Sequence, residues 1–209
     1  MPTKKGTGLL MVWVEVPDEI EDEFNKWYNE EHIAERLGIP GVLSAARYEA
    51  VSSGPKMLAF YELESSAIME STEYLKVRNN PSDWTKRMNP GDVGTVYIRN
   101  VYEMIHPTDL TDEISASPMA PALQIGRMDI PPEVEGEWNE WYNTVYVPNY
   151  EKVPGVIRGR RFKAVVGDPQ YLTVYEFEHE GASQTKEWLR QQTIDPRNEA
   201  MRDAMLHVP

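Results

Sequence analysis

The chain contains no cysteine among its 209 residues. This absence excludes disulfide bonds, thiolate metal sites and cysteine nucleophiles. It is typical of proteins in a reducing compartment, and we expect this one to be cytoplasmic. Histidine is also scarce, with four residues at no clustered spacing, so we predict no metal site. The sequence also lacks a phosphate-binding loop, a nucleophile elbow and a dinucleotide fingerprint.

Basic residues are fewer than acidic residues. The chain has 21 lysines and arginines and 34 acidic residues, which gives a net charge of −13. A surface of that sign repels nucleic acid and anionic lipid. No apolar run approaches the roughly 18 residues of a membrane span. The first apolar run reaches Glu15 too soon for a secretory signal. We therefore expect neither nucleic acid nor a membrane as a partner.

An internal repeat is the most informative feature that the sequence does have. Residues 9–64 align with residues 123–178 without a gap at an offset of 114, and 20 of the 56 pairs are identical. Trp27 aligns with Trp141 and Tyr61 with Tyr175. One fold built twice is the simplest interpretation, and the positions where the copies differ serve as an internal control on function.

Hydrophobic periodicity, turn residues and helix start signals predict the same order of elements in both halves. For the first half they predict strands at 8–16, 42–51, 57–64 and 94–106, with helices from Pro17 to Gly38 and over 66–88, the second broken near Pro81. For the second half they predict strands at 122–130, 156–166 and 171–178, with helices at 133–152 and 182–206 and no last strand. The predicted domains are residues 1–106 and 122–209, joined by a polar, proline-rich linker at 107–121.

The order β-α-β-β-α-β is the split βαβ, or ferredoxin-like, arrangement. Helices cover one face of such a sheet and leave the other bare, and a second sheet is the cheapest cover for it. We therefore predict an α+β protein of two tandem ferredoxin-like halves whose antiparallel sheets pack face to face into an α+β barrel. The missing last strand leaves a sheet edge that needs a cover, so we expect a homodimer.

Three features carry a resemblance to a known family. The first helix is rich in aromatics and ends in Asn29-Glu30-Glu31-His32, Pro40-Gly41-Val42 follows, and the next strand carries Arg47. This pattern resembles the dimeric α+β barrel superfamily, most closely its EthD-like members. The resemblance implies the fold but leaves the reaction open, because the superfamily includes cofactor-free isomerases and cyclases, quinol-forming monooxygenases, haem enzymes and members without an assigned activity.

EthD-like helices often end in a histidine followed shortly by a proline. Here the first half has His32, whereas the second half has Pro148 and carries Tyr146 in place of the histidine. If there is one active site, we therefore expect it in the first half.

His32, Glu31 and Tyr61 are the candidate catalytic residues. A neutral imidazole with a pKa near ~6.5 can move a proton at cellular pH, although a solvent-facing helix histidine is the alternative. Glu31 falls on the apolar stripe of the helix, where the second half has Val145. A buried carboxylate there would have a raised pKa and could act as a general base; the alternative is an exposed Glu31 beyond the end of the stripe. The Tyr61 hydroxyl could donate to an oxyanion.

The candidate substrate-binding residues are mostly aromatic or basic, as suits a flat hydrophobic ligand. Trp13 on the first strand aligns with Arg127, and Arg127, Asp129 and Arg161 would form either a structural charge network or an anion-binding patch for a carboxylated substrate. The full candidate set is Trp13, Trp27, Tyr28, Arg47, Tyr48, Arg127, Tyr146 and Arg161.

The leading functional hypothesis is a cofactor-independent enzyme that acts on a small hydrophobic or aromatic metabolite by proton transfer, of isomerase, cyclase or lyase type. One alternative is a quinol-type monooxygenase or a haem-dependent enzyme of the same fold. Another is a non-catalytic ligand-binding or assembly module.

Overall fold

The computed structural model describes residues 3–207, which group into two compact units. The first unit comprises residues 3–103 and 110–119, and the second comprises 104–109 and 120–207. The segment 107–121, predicted as a linker, contains a short helix at Asp112–Ala116. The predicted domain ends at residues 1–2 and 208–209 lie outside the described residues.

The first unit is a four-stranded antiparallel sheet in the order β2-β3-β1-β4 with helices on one face. This order and the chain order β-α-β-β-α-β are those of the ferredoxin-like fold. Its strands are β1 (Gly8–Glu15), β2 (Val42–Glu49), β3 (Met57–Leu63) and β4 (Val96–His106), and its helices are α1 (Asp18–Trp27), α2 (Ile33–Leu37), α3 (Thr72–Asn79), α4 (Asp83–Arg87), α5 (Pro90–Val93) and α6 (Asp112–Ala116).

The second unit repeats the arrangement, with the strand order β6-β7-β5-β8. The prediction that this half lacks a last strand is wrong, because Leu206 pairs with Asp129 in a two-residue strand. The strands are β5 (Ala122–Asp129), β6 (Val156–Val166), β7 (Tyr171–Phe177) and β8 (Leu206–His207), and the helices are α7 (Glu135–Trp141), α8 (Val147–Tyr150), α9 (Lys186–Arg190) and α10 (Asn198–Asp203).

The first helix of each unit is interrupted by a π-helical turn at the same aligned position. These turns are Tyr28–His32 between α1 and α2 and Tyr142–Tyr146 between α7 and α8. A π-turn inserts one extra residue and redirects the side chains that follow, and such turns recur at functional sites. Acidic residues in the first turn of α1 favour its start, because they face the positive end of the helix dipole.

The second helix of the first unit is more fragmented than the sequence predicts. A 3₁₀ turn (Ser66–Glu70) and helices α3, α4 and α5 replace the single broken helix over 66–88. Ser71 caps α3 and Ser82 caps α4 by accepting a backbone N–H bond. Across residues 3–207, no helix has both the length and the apolar character needed to cross a lipid bilayer.

Each unit has its core between the helices and the sheet. In the first unit Leu10, Val12 and Val14 of β1 pack against Phe24 and Trp27 of α1. In the second unit the core is more aromatic, with Trp138, Trp141, Tyr142, Tyr150, Tyr171, Tyr175 and Trp188 buried together.

The opposite face of each sheet is buried as well, and it holds ion pairs. Glu62 on β3 lies 3.5 Å from the Lys5 ammonium, and its aligned partner Glu176 on β7 lies 2.8 Å from the Arg160 guanidinium. Buried carboxylates of this kind need a cationic partner to offset the loss of hydration. The face-to-face packing of the two sheets into a barrel stays a prediction from the sequence.

Candidate functional site

His32 stands against the aromatic core of the first unit. Its ring centroid lies 4.5 Å from that of Trp27 and 4.9 Å from that of Tyr28, and its Nδ1 is buried without a hydrogen-bond partner among the described residues. Burial, together with the positive charge of Arg36, lowers the pKa of His32 to about 3. The expectation of a pKa near the usual value is therefore wrong, and the imidazole is neutral throughout the physiological range.

Glu31 ties the first helix to α4. Its Oε1 accepts hydrogen bonds from the hydroxyls of Ser82 at 2.5 Å and Thr85 at 2.9 Å, and Thr85 in turn accepts from the Trp27 indole at 3.1 Å. The Ser82 hydrogen bond is the main reason that the pKa of Glu31 is lowered. The predicted raised pKa is wrong, and the contacts describe a structural clamp between helices.

Tyr28 contacts the side chains of both Tyr61 and Arg47 in the first unit. The Tyr61 hydroxyl donates to the Tyr28 oxygen at 3.3 Å, and burial raises the pKa of Tyr28 to about 12. The Arg47 guanidinium lies 4.7 Å from the centre of the Tyr28 ring and donates to the side-chain oxygens of Asn25 and Asn29. The side chains of Tyr28 and Tyr61 are buried, and Trp27 beside them is fully buried.

Three predicted substrate-binding residues lie on the sheet face that carries no helices. Strand pairing places Trp13 and Tyr48 opposite Leu58, and Arg127 opposite Leu172. They are therefore separated by the sheet from the residues around Tyr28 and His32.

Within residues 3–207, Asp129 and Arg161 bond to groups other than Arg127, so the predicted charge network of these three residues does not form. Arg127 donates to the backbone carbonyl of Asp168 at 2.8 Å, and Asp129 accepts from the backbone of Gln170. Arg161 lies on the helix face, where it donates to the side chains of Asn139 and Asn143 and stacks over the rings of Trp138 and Tyr142. Arg161 thus repeats the packing of its aligned partner Arg47.

The two units differ where helix and sheet meet. Leu10, Val12 and Ala45 fill this space in the first unit, and the aligned residues of the second unit are Gln124, Gly126 and Gly159. The lost side-chain volume leaves a cavity of about 330 Å³ between the sheet and the helices of the second unit. We call it the tyrosine cavity, and its lining includes Gln124, Gly126, Tyr142, Tyr146, Tyr150, Thr173, Tyr175, Trp188 and Arg202.

Two hydroxyl groups of the tyrosine cavity lack a well-formed hydrogen bond within residues 3–207. Thr173 Oγ1 and Tyr175 Oη are buried, and their interactions with the Tyr142 hydroxyl fall outside normal hydrogen-bond geometry. The hydroxyls of Tyr146 and Tyr150 are 3.2 Å apart and bond to each other. Buried polar groups are nearly always satisfied, so unpaired hydroxyls beside a cavity indicate a place for a bound molecule or water.

The tyrosine hydroxyls of the cavity remain protonated at neutral pH. Burial raises the pKa of Tyr142 to about 12, and it raises the pKa values of Tyr146, Tyr150 and Tyr175 as well. Protonated hydroxyls donate hydrogen bonds, so the cavity offers several donors to an oxygen atom.

Aromatic rings form the walls of the tyrosine cavity. The ring of Tyr150 lies 4.3 Å from Trp188 and 4.8 Å from Tyr146, and Trp188 lies 5.1 Å from Tyr175 in an edge-on orientation. Apolar walls with a few polar groups are the usual composition of a small-molecule site.

Of the predicted site residues, Tyr146 lines this cavity, and Arg161 contacts it through Tyr142. Sequence reasoning missed Gln124, Gly126 and Thr173. A signal for them existed in the internal alignment, where an apolar residue of the first copy became polar or lost its side chain in the second. A shallower depression of about 440 Å³ lies on the first unit, lined by Glu35, Gly38, Ile39, Glu73, Lys76, Val77 and Asn80.

The described residues offer few side chains that could bind a metal ion or a haem. Within residues 3–207 no group of three or more histidines and carboxylates could hold a metal ion. No histidine is among the described residues that line either cavity, and the His32 ring packs at a tilt against Trp27 and edge-on against Tyr28. These residues do not fit a haem.

Comparisons with known proteins identify the fold. No protein-family model matches the sequence, and no curated protein matches it. Solved structures do match, among them an anthrone oxidase-like protein with a TM-score of 0.65 at 14% identity, covering 97% of this chain and 86% of the other. A chlorite dismutase-like protein has a TM-score of 0.61 at 12% identity, with coverages of 97% and 91%. A monooxygenase-like protein of Fusobacterium nucleatum subsp. nucleatum has a TM-score of 0.55 at 14% identity, with coverages of 96% and 88%. At such identities the likeness establishes the fold, and the chain is an α+β protein of ferredoxin-like architecture.

Proposed function

We propose that the tyrosine cavity binds a small, flat aromatic molecule that carries a phenol, enol or ketone oxygen, and that the protein acts on it as an enzyme without a cofactor. The observation that carries this proposal is the pair of unpaired hydroxyls, Thr173 Oγ1 and Tyr175 Oη, beside a cavity of about 330 Å³. A ligand oxygen placed between them would accept two hydrogen bonds and relieve two buried, unsatisfied groups.

The walls of the cavity support an aromatic ligand. Rings of Tyr146, Tyr150 and Trp188 offer edges and faces against which another ring can pack, and aromatic contacts of this kind contribute about 0.5–1.5 kcal/mol beyond burial. Gly126 leaves the sheet side of the cavity flat, because no side chain projects from that position.

The tyrosine hydroxyls of the cavity are hydrogen-bond donors that could stabilise an anion. When a substrate loses a proton, its oxygen gains negative charge and the tyrosine hydroxyls bond to it more strongly. Because the described residues that line the cavity include no carboxylate or histidine, they would lower the pKa of the substrate, and the proton would pass to water at the mouth.

The resulting anion has two fates. Reprotonation at another atom gives isomerase- or cyclase-type chemistry. Reaction with O₂ converts an activated methylene to a ketone, and the second oxygen atom leaves as water together with the two hydrogens of the methylene. The second fate is the one that the anthrone oxidase-like and monooxygenase-like structural neighbours favour.

Anthrone itself is a suitable probe, because it is flat and its methylene is acidic. We expect the protein to accelerate O₂ uptake by anthrone above the rate in buffer, with one anthraquinone formed for each O₂ consumed. Under nitrogen in D₂O, we expect faster deuterium exchange at the methylene, followed by NMR.

The control for this experiment is Tyr97→Phe, at an exposed tyrosine of the first unit, and the test variant is Tyr175→Phe. Exchange without O₂ uptake would favour the isomerase alternative. Binding with neither reaction would favour a non-catalytic ligand-binding module. Loss of activity in His32→Phe with full activity in Tyr175→Phe would contradict the proposal and restore the first unit as the active site.

We also propose that the chain arose by tandem duplication of an EthD-like half, on the support of the gapless repeat and the aligned π-turns. On this view the first copy kept the histidine and the second enlarged its cavity. The homodimer was expected from a missing last strand, and β8 now covers part of that edge; sedimentation equilibrium would test the oligomeric state.

A further inference from the structure

Arg202 of α10 lines the tyrosine cavity. Its guanidinium makes no hydrogen bond and no ion pair with any residue in the described range 3–207.

Other arginines of the second unit are engaged or lie away from the cavity. Arg158 and Arg160 pair with Glu176, Arg161 bonds to asparagine side chains, and Arg197 pairs with Asp195. Arg190 on α9 likewise makes no side-chain hydrogen bond or ion pair within residues 3–207, but it is exposed and does not line the cavity.

The charge of Arg202 reaches two hydroxyls of the cavity. Burial raises the pKa values of Tyr146 and Tyr150, and the positive charge of Arg202 opposes that rise in both. The hydroxyls that make no well-formed hydrogen bond within residues 3–207 belong to other residues, Thr173 and Tyr175. The lining therefore offers two kinds of polar contact, the Arg202 cation and the hydroxyl groups of Thr173 and Tyr175.

We propose that the ligand of the tyrosine cavity is an aromatic carboxylate, whose carboxylate pairs with Arg202 while its phenol, enol or ketone oxygen meets Thr173 and Tyr175. This inference rests on the proposed function for the location of the site and adds the charge of the substrate. A planar guanidinium matches a carboxylate through two parallel hydrogen bonds, which lysine cannot reproduce. The overall charge of −13 repels anions, so an anionic ligand needs such a local cation.

The test compares two ligands that differ in one group. These are 2-naphthol and 6-hydroxy-2-naphthoate, which carries a carboxylate at the end opposite its hydroxyl, and isothermal titration calorimetry measures the affinity of each. For the wild type we expect the naphthoate to bind about ten-fold or more tightly than the naphthol. Arg202→Gln should reduce that preference to within about two-fold.

Arg190→Gln is the matched control, because it removes the same charge from an exposed site and should keep the preference. Arg202→Lys retains the charge without the planar fork, and we expect an intermediate preference; it also serves if Arg202→Gln fails to fold. Equal wild-type affinity for the two ligands, or a full preference in Arg202→Gln, would overturn the inference while leaving the tyrosine cavity as a naphthol site. A preference that depends on Arg202, in a protein that turns over neither class of substrate, would support the inference and contradict the proposed enzymatic activity. If neither ligand binds, both proposals fail.

Discussion

Gly159 on β6 lies directly against the ring of Tyr175 on β7. A Cβ added at residue 159 would come within 2.9 Å of Tyr175 Cε1 and 2.8 Å of Val147 Cγ1. In the first unit the aligned pair is Ala45 and Tyr61, and there the methyl group is present. The absence of one methyl group therefore allows Tyr175 to lie where its hydroxyl reaches the tyrosine cavity without a partner.

Restoring that methyl group should damage the site. Gly159→Ala forces the ring of Tyr175 and Val147 apart, and overpacking of this kind costs about 1–3 kcal/mol of unfolding free energy. We expect a lower midpoint in urea unfolding and weaker binding of 2-naphthol.

Gly136→Ala provides the control for that variant. A Cβ at residue 136 meets nothing within 4 Å, and the residue lies in helix α7. Alanine there should leave binding unchanged and stabilise the protein by up to about 1 kcal/mol. Equal stability and binding in the two variants would show that Gly159 has no special role.

Filling the cavity from the sheet side should remove binding without loss of stability. Gly126→Val introduces the side chain that the first unit has as Val12, and its Cβ would meet the flexible end of Met128 at 3.0 Å. Because a methionine can adjust and valine favours strands, we expect an unchanged or higher urea midpoint. Calorimetry should show at least a roughly ten-fold weaker affinity for 2-naphthol.

Val12→Ala, in the packed core of the first unit, is the control for Gly126→Val. It removes buried volume from a filled core, which should cost about 2 kcal/mol and leave the ligand affinity as it was. Weaker binding in Val12→Ala and not in Gly126→Val would place the ligand in the first unit.

The sequence predicts the fold well because repeat, periodicity and turn residues act locally and agree with one another. The constant offset identified the equivalent residues, and the strand bounds of the structure differ from the predicted bounds by two residues at most. The second helix was predicted less well, because serine caps at Ser71 and Ser82 start new helices that hydrophobic periodicity does not register.

The candidate site was harder to predict, because a sequence shows which reactive side chains are present but does not show where a side chain leaves empty space. His32 and Glu31 carry such groups, yet burial and the charge of Arg36 keep His32 neutral. Ser82 and Thr85 hold Glu31 through hydrogen bonds. The tyrosine cavity instead lies beside Gly126, which has no side chain where the first unit has Val12. An absent side chain has no chemical signature of its own, and packing decides whether neighbours fill the space.

The two aligned tyrosines should respond differently to loss of the hydroxyl. Tyr61 donates to Tyr28, so Tyr61→Phe leaves a buried oxygen without its donor and should cost about 1–2 kcal/mol. Tyr175 makes no hydrogen bond of normal geometry within residues 3–207, so Tyr175→Phe should leave the urea midpoint unchanged or raise it while weakening naphthol binding. Equal destabilisation by the two variants would mean that the Tyr175 hydroxyl is bonded in the folded protein.

Acid should weaken the fold through His32. Its folded pKa of about 3 lies below the usual value of 6.5, so the unfolded state binds a proton first as the pH falls. The stabilisation is complete above about pH 6.5 and is lost progressively toward pH 3, with a slope of at most ~1.4 kcal/mol per pH unit. Urea unfolding between pH 7 and pH 4 should show this slope, and His32→Phe should reduce it.

NMR offers an independent check on that residue. The ring signals of His32 should stay constant between pH 5 and pH 8. A midpoint near pH 6.5 for those signals would show an imidazole in water and would make His32 available again as an acid or base.

The central claim is that the ligand site lies in the second unit, between the sheet and the tyrosines. A crystal structure with 6-bromo-2-naphthol tests it most directly, because bromine scatters anomalously and marks the position of the ring. We predict one bromine peak beside Tyr146 and Trp188, with the naphthol oxygen in hydrogen-bonding range of Tyr175 and Thr173. A bromine peak beside His32 in the first unit, with the tyrosine cavity empty, would contradict the account.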